Sequence, residues 1–154
     1  MRYISTRGKT APKNFLEIVL EGLASNGGLY MPESYPQIDL DLLRTGSYRT
    51  VAWHVMRLFA PEISSREMML MLDCVYRTEI FGSSEITPLR FLRPNLALLR
   101  LANGPTLSFK DVAMQLLGAL MEYALEKTCR ELNILGATSG DTGSAAEYAV
   151  RGRR

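Results

Sequence analysis

Histidine, cysteine and tryptophan are nearly absent from this sequence of 154 residues. A single histidine, His54, excludes a His-rich metal site and leaves one candidate for any His-based triad. The two cysteines, Cys74 and Cys129, lie far apart and form no C-x-x-C pair. That argues against a disulfide framework or a zinc site and points to a reducing, cytoplasmic setting. Long apolar runs are missing too: the greasiest stretch, Val112 to Leu125, is interrupted by Gln115 and Glu122. No membrane-spanning helix is expected. The N-terminus, Met1 to Lys9, has no apolar core of the kind a secretory signal needs. Charge of one sign is also lacking, because 18 Lys and Arg face 16 Asp and Glu. A net charge of +2 gives no bulk attraction to nucleic acid or anionic lipid.

What is present is an ordinary globular balance, 47% apolar and 22% charged, long enough to bury a core. The punctuation divides the chain into regions 1–85 and 86–154. The first reads as mostly helical. Asn14 can cap a helix with Phe15, Ile18, Val19 and Leu23 as its apolar stripe, ending at Ser25-Asn26-Gly27-Gly28. Leu29 to Pro36 reads as irregular. A second helix is predicted over 48–59, stopped by Pro61, and a third from the capping box Ser64-x-x-Glu67, with Met68, Leu72, Val75 and Tyr76 inward. The methionines Met68, Met69 and Met71 read as core filler, and His54 as a satisfied helical histidine.

The second region alternates. Leu96 to Leu101 is expected as a strand buried on both faces, followed by a Gly-Pro loop. A long helix is predicted from Phe109 to Glu126, with Ser108 as N-cap and Asp111 three residues on. Leu132 to Ala137 reads as another strand, then a polar loop Thr138–Ser144, then a helix from Ala145. This order implies a βαβ unit, a parallel sheet and an α/β fold class. Both loops leave the carboxyl ends of their strands, so they should face one crevice.

Two features there can carry chemistry. Lys110 stands in the first turn of the predicted helix, where a cation opposes the dipole. Burial and the positive helix end would favour the neutral, nucleophilic amine of a Schiff-base lysine. The alternative is an exposed lysine paired with Asp111 or Asp141. The loop Thr138-Ser139-Gly140-Asp141-Thr142-Gly143-Ser144 offers hydroxyls, glycines and helix-terminal amides, the parts of an anion site. It lacks the Gly-Lys-Ser/Thr ending of a P-loop and the full Gly-x-Gly-x-x-Gly fingerprint. Its plain reading is a well-capped strand-to-helix turn. Asp141 is out of place in an anion loop unless it points at a hydroxyl or a cation.

The stretch Gly104-Pro105-Thr106-Leu107-Ser108-Phe109-Lys110-Asp111, followed by Ala137-Thr138-Ser139-Gly140-Asp141-Thr142-Gly143-Ser144, resembles the threonine synthases. These are pyridoxal-phosphate enzymes of the tryptophan synthase β fold group. Tyr3-Ile4-Ser5-Thr6-Arg7-Gly8 and the segment Gly22 to Glu33 resemble that family's N-terminal domain. The resemblance implies a mostly helical N-terminal domain over 1–85 and, over 86–154, the beginning of a pyridoxal-phosphate-binding domain, incomplete at this length. It implies that Lys110 holds the cofactor and that Asp141 lies near the cofactor's phenolic oxygen. It implies that the loop binds the substrate carboxylate, through Ser139 and Thr142 with Thr138. The implied reaction takes O-phospho-L-homoserine and water to L-threonine and phosphate. Arg7, Thr106 and Ser108 are candidates for the substrate phosphate. Asn103 and Ser108 depart from the His and Ala common in the family. The implied partner is the small-molecule substrate, with a homo-oligomer possible. The other reading is an inactive fragment serving as a binding or oligomerisation module.

Overall fold

A computed structural model describes residues 1–153. The element order is β1 (Tyr3–Ser5), α1 (Phe15–Glu21), β2 (Tyr30–Pro32), α2 (Tyr48–Phe59), α3 (Ser65–Val75), α4 (Thr78–Phe81), β3 (Leu89–Arg93), β4 (Leu96–Leu99), α5 (Asp111–Thr128) and α6 (Asp141–Val150). The chain therefore mixes helix and strand, as the α/β reading expects.

Local chemistry explains the helix boundaries of the first region. Asn14 accepts from the Glu17 amide at 2.9 Å, and the Glu17 carboxylate accepts from the Asn14 amide at 2.8 Å, which closes a capping box on α1. Gly22, at φ 72°, ends that helix earlier than expected. The following Asn26-Gly27 belongs to a separate turn. α2 starts on Ser47, whose hydroxyl accepts from the Thr50 amide, and stops at Ala60, one residue before Pro61. Ser64 and Glu67 form the expected capping box of α3.

The core gathers Ala60, Ile63, Met68, Leu72, Val75, Tyr76, Phe81 and Ile86 with Leu116, Ala119 and Leu120 of α5. Phe15, Leu16 and Val19 of α1 close one side of it. Two buried phenols tie elements together: Tyr3 donates to the Phe59 carbonyl at 2.6 Å, and Tyr76 to the Val112 carbonyl at 2.9 Å.

The strands differ from expectation. Part of the stretch read as irregular is β2, which pairs antiparallel with β1, Tyr3 opposite Pro32 and Ser5 opposite Tyr30. β4 occupies most of the expected strand 96–101, but it is exposed and pairs antiparallel with β3 across a bulge at Phe91/Arg93. Residues 132–137 join no ladder among the described residues. A strand buried on both faces requires neighbours and covering helices on each side, which the described residues do not supply.

The two loops nonetheless come together, as expected, through the packing of the helices that follow them. α5 and α6 touch at three levels: Lys110 with Asp141, Gly118 with Ala149, and Glu122 with Arg153. Each pair is 31 residues apart, so the two helices run parallel and in register. Parallel neighbouring helices are what a βαβ crossover produces.

Candidate functional site

The register brings the N-termini of α5 and α6 side by side. Lys110 is the residue before α5, in a helical conformation (φ −66°, ψ −24°). The helix was expected to begin at Phe109 on a Ser108 cap. Instead the chain enters it through short turns, with the Asp111 amide donating to the Ser108 carbonyl at 3.1 Å and the Ala113 amide to the Lys110 carbonyl at 3.1 Å.

The Lys110 ammonium donates to Asp141 Oδ2 at 3.0 Å and lies 4.6 Å from the centre of the Phe109 ring. Of the two carboxylates considered as partners, Asp141 is the one engaged. The Ser108 hydroxyl, on a buried residue, lies 3.4 Å from the same carboxylate oxygen. The hydrogen bond from Lys110 holds the Asp141 carboxyl below its usual range, with further help from the charge of Lys110. Lys110 is largely covered and Asp141 mostly exposed, with side-chain exposures of 25% and 62%. The pair thus has one side open to solvent.

Next to it, the loop before α6 is shaped by Thr138. Its hydroxyl oxygen accepts from the amides of Gly140 at 3.0 Å and Gly143 at 3.1 Å. Gly140 takes φ 125°, a conformation that favours glycine. A side chain on Gly143 would press a Cβ to 2.8 Å of the Thr138 hydroxyl. α6 begins at Asp141, four residues before the predicted start. The first-turn amides of Asp141 and Thr142 meet no acceptor among the described residues. A cleft of about 590 Å³ opens along this turn, lined by Thr138, Gly140, Thr142, Gly143 and Ser144. Ser139 is exposed beside it and is not in its lining.

The other candidates lie elsewhere or are already committed. The Arg7 guanidinium donates to the Asn26 carbonyl at 3.0 Å in the N-terminal region. The Thr106 hydroxyl donates to Asp111 at 2.7 Å. His54 sits within α2, its Nδ1 buried and without a hydrogen-bond partner among the described residues. No group of His, Cys, Asp and Glu among the described residues is arranged to hold a metal. Two residues were missed as organisers of the site, Asn103 and Asp111. Asn103 donates to the carbonyls of Phe81 at 2.7 Å and Ile86 at 2.9 Å, tying the lysine loop to the chain on both sides of the boundary between the two regions. Nothing local in the sequence signals either role.

Comparison with known proteins points toward the threonine synthases. The family model described as "Threonine synthase N terminus" matches residues 2–76. Threonine synthase of Methylobacillus glycogenes is 48% identical over the whole chain, which covers 34% of that protein. Threonine synthase of Pseudomonas aeruginosa is 45% identical over 98% of the chain, covering 33% of that protein. Over its whole length the chain is similar to the N-terminal third of these threonine synthases. The crystal structure of PLP-bound threonine synthase from Brucella melitensis superposes with a TM-score of 0.94 at 42% identity, over 100% of this chain and 34% of that one. Yeast threonine synthase gives 0.89 at 38% identity, over 99% and 33%. The chain thus spans about a third of the length of the threonine synthases it matches.

Proposed function

We propose that this chain supplies the lysine-bearing part of a threonine synthase, a pyridoxal-phosphate-dependent lyase converting O-phospho-L-homoserine and water to L-threonine and phosphate. In this reading residues 1–85 form the N-terminal domain and 86–154 begin the cofactor-binding domain. The observation that carries it is the meeting of Lys110 with Asp141 at two adjacent helix N-termini. The residues fit such a cofactor: Lys110 is held by a single exposed carboxylate that an incoming anion can displace, and Thr142, whose amide meets no acceptor among the described residues, lines the neighbouring cleft.

Lys110 would be the residue that holds the cofactor, through its side-chain nitrogen. When bound, the cofactor supplies an electron sink for charge developing on substrate carbon. The amides of Asp141 and Thr142, with the hydroxyls of Thr142 and Ser139, bind the substrate carboxylate. Thr138 holds that turn in shape and can still donate its hydroxyl hydrogen, because its oxygen already accepts from two amides. Asp141 accepts the hydrogen bond of Lys110 and orients its side chain. The Lys110 amine would also be the group placed to hold or move a proton at substrate carbons within its reach.

The test is reduction of the chain with borohydride in the presence of pyridoxal phosphate, followed by peptide mapping. Label concentrated on Lys110 supports the proposal; label spread evenly over the lysines removes it. A threonine-release assay then measures whether this length of chain turns over.

A second reading, an association module, draws on the apolar exposure of the second region. Phe91 is 67% exposed and Leu135 100%. Light scattering on the purified chain checks it, and a clean monomer argues against it.

A further inference from the structure

Asp111 is the one ionisable residue among the fully buried side chains of the described residues, with 0% exposure. A buried carboxyl group is costly unless its oxygens are satisfied. An acid in a first helical turn normally stays in solvent, where it complements the helix dipole. Asp111 does otherwise. It folds back over the loop and accepts twice from Thr106, from the amide at 2.9 Å and the hydroxyl at 2.7 Å.

The loop is built around that contact. A Cβ on Gly104 would lie 2.4 Å from the Asp111 Cβ, so the backbone there rests directly on the carboxyl-bearing side chain. Leu107 takes φ 59°, a left-handed conformation uncommon for a residue with a Cβ, and it must be sustained by surrounding contacts. Residues 104–111 therefore form a closed ring of contacts, with Lys110 at its exit. The direction of the Lys110 side chain follows from where Asp111 is anchored, because the two are adjacent in the chain and Asp111 begins α5.

We infer that Asp111, through its buried clamp on Thr106, is a positioning residue for Lys110 and sets the amine's aim toward the cofactor. The inference rests on the reading of Lys110 as the cofactor-bearing lysine. Asp111 touches neither cofactor nor substrate in this role.

The experiment uses the whole chain and two reagents, pyridoxal phosphate with borohydride and acetic anhydride. Each is scored by peptide mapping as the ratio of label on Lys110 to label on exposed Lys9. Circular dichroism confirms the fold of every variant at the labelling temperature. Asp111→Ala is expected to lower the Lys110:Lys9 ratio for pyridoxal phosphate about tenfold, since small misplacements of a reacting group are costly. Thr106→Val, which keeps the amide contact, is expected to lower it less. Asp111→Asn is expected to recover most of the loss, because its amide oxygen still accepts from the Thr106 amide. Folded Asp111→Ala and Thr106→Val variants that keep the wild-type ratio with both reagents would overturn the inference. If Asp111→Ala does not fold, Thr106→Val decides. A wild-type chain in which pyridoxal phosphate shows no preference for Lys110 defeats the cofactor reading instead. The acetic anhydride ratio still reports the clamp in that case, so the two failures are distinguishable.

Discussion

Gly118 of α5 and Ala149 of α6 meet backbone to backbone: a Cβ on Gly118 would lie 2.5 Å from the Ala149 carbonyl oxygen. In an ordinary helix interior, glycine to alanine stabilises by about 1 kcal/mol. Here the sign reverses. Gly118→Ala is expected to destabilise by about 1–3 kcal/mol through overpacking, measured by urea unfolding. It should also push α6 away from α5 and weaken the contact between Lys110 and Asp141.

Asn103 donates to two carbonyls, those of Phe81 and Ile86. Asn103→Ala is expected to cost about 1–3 kcal/mol, because it leaves the Phe81 and Ile86 carbonyls without that partner. Asn103→Asp should be worse, since it sets an acceptor against acceptors. Thermal melts of the two variants against wild type check the order.

Glu67 ties α3 to α5. Its carboxylate accepts from the Ser64 hydroxyl at 2.6 Å, from the Tyr123 hydroxyl at 3.0 Å and from Lys127 at 3.1 Å. These contacts, Ser64 first, bring its pKa down to about 2. A carboxyl depressed by folding contributes stability above its unfolded value near 4.5, and that contribution is lost as pH falls towards 2. Glu67→Gln is expected to lower the melting temperature at pH 7. The gap between wild type and variant should close below pH 4.5, as melts across that window would show.

Thr138 is the acceptor for two amides of the α6 turn. Thr138→Val keeps the shape and removes the acceptor. The expected loss is about 1 kcal/mol, comparable to loss of a helix cap. Thr138→Ser should retain most of the stability. Faster amide exchange at Gly140 and Gly143 in the valine variant would locate the effect.

What was legible in the sequence was local. The capping box of Ser64 and Glu67 and the stop before Pro61 depend on neighbours a few residues away, and the structure has both. The inward face of α3 follows from helical spacing, and Met68, Leu72 and Val75 are buried as read. The pairing of β1 with β2 was hidden, because strands of three residues carry too little pattern and their partners lie far apart. Burial of residues 96–99 was misjudged for a related reason: an apolar run signals affinity for cover, and the cover comes from other elements. At the site, the approach of Lys110 to Asp141 followed from the order of strands, loops and helices. The diversion of Asp111 to Thr106 did not, because an acid near a helix start reads as a cap whichever way its side chain turns.

The in-register pairing of α5 with α6 sets an asymmetry in how the chain tolerates length changes. Residues 129–137 join the helices without ladder pairing among the described residues, so an added residue there can be absorbed as slack. A single deletion between Lys110 and Gly118 cannot be. It would rotate one end of α5 by about 100° against the other. Either Gly118 would leave the Ala149 carbonyl or Lys110 would turn away from Asp141. Indels in this region should therefore be found in the connector and excluded from the first two turns of α5.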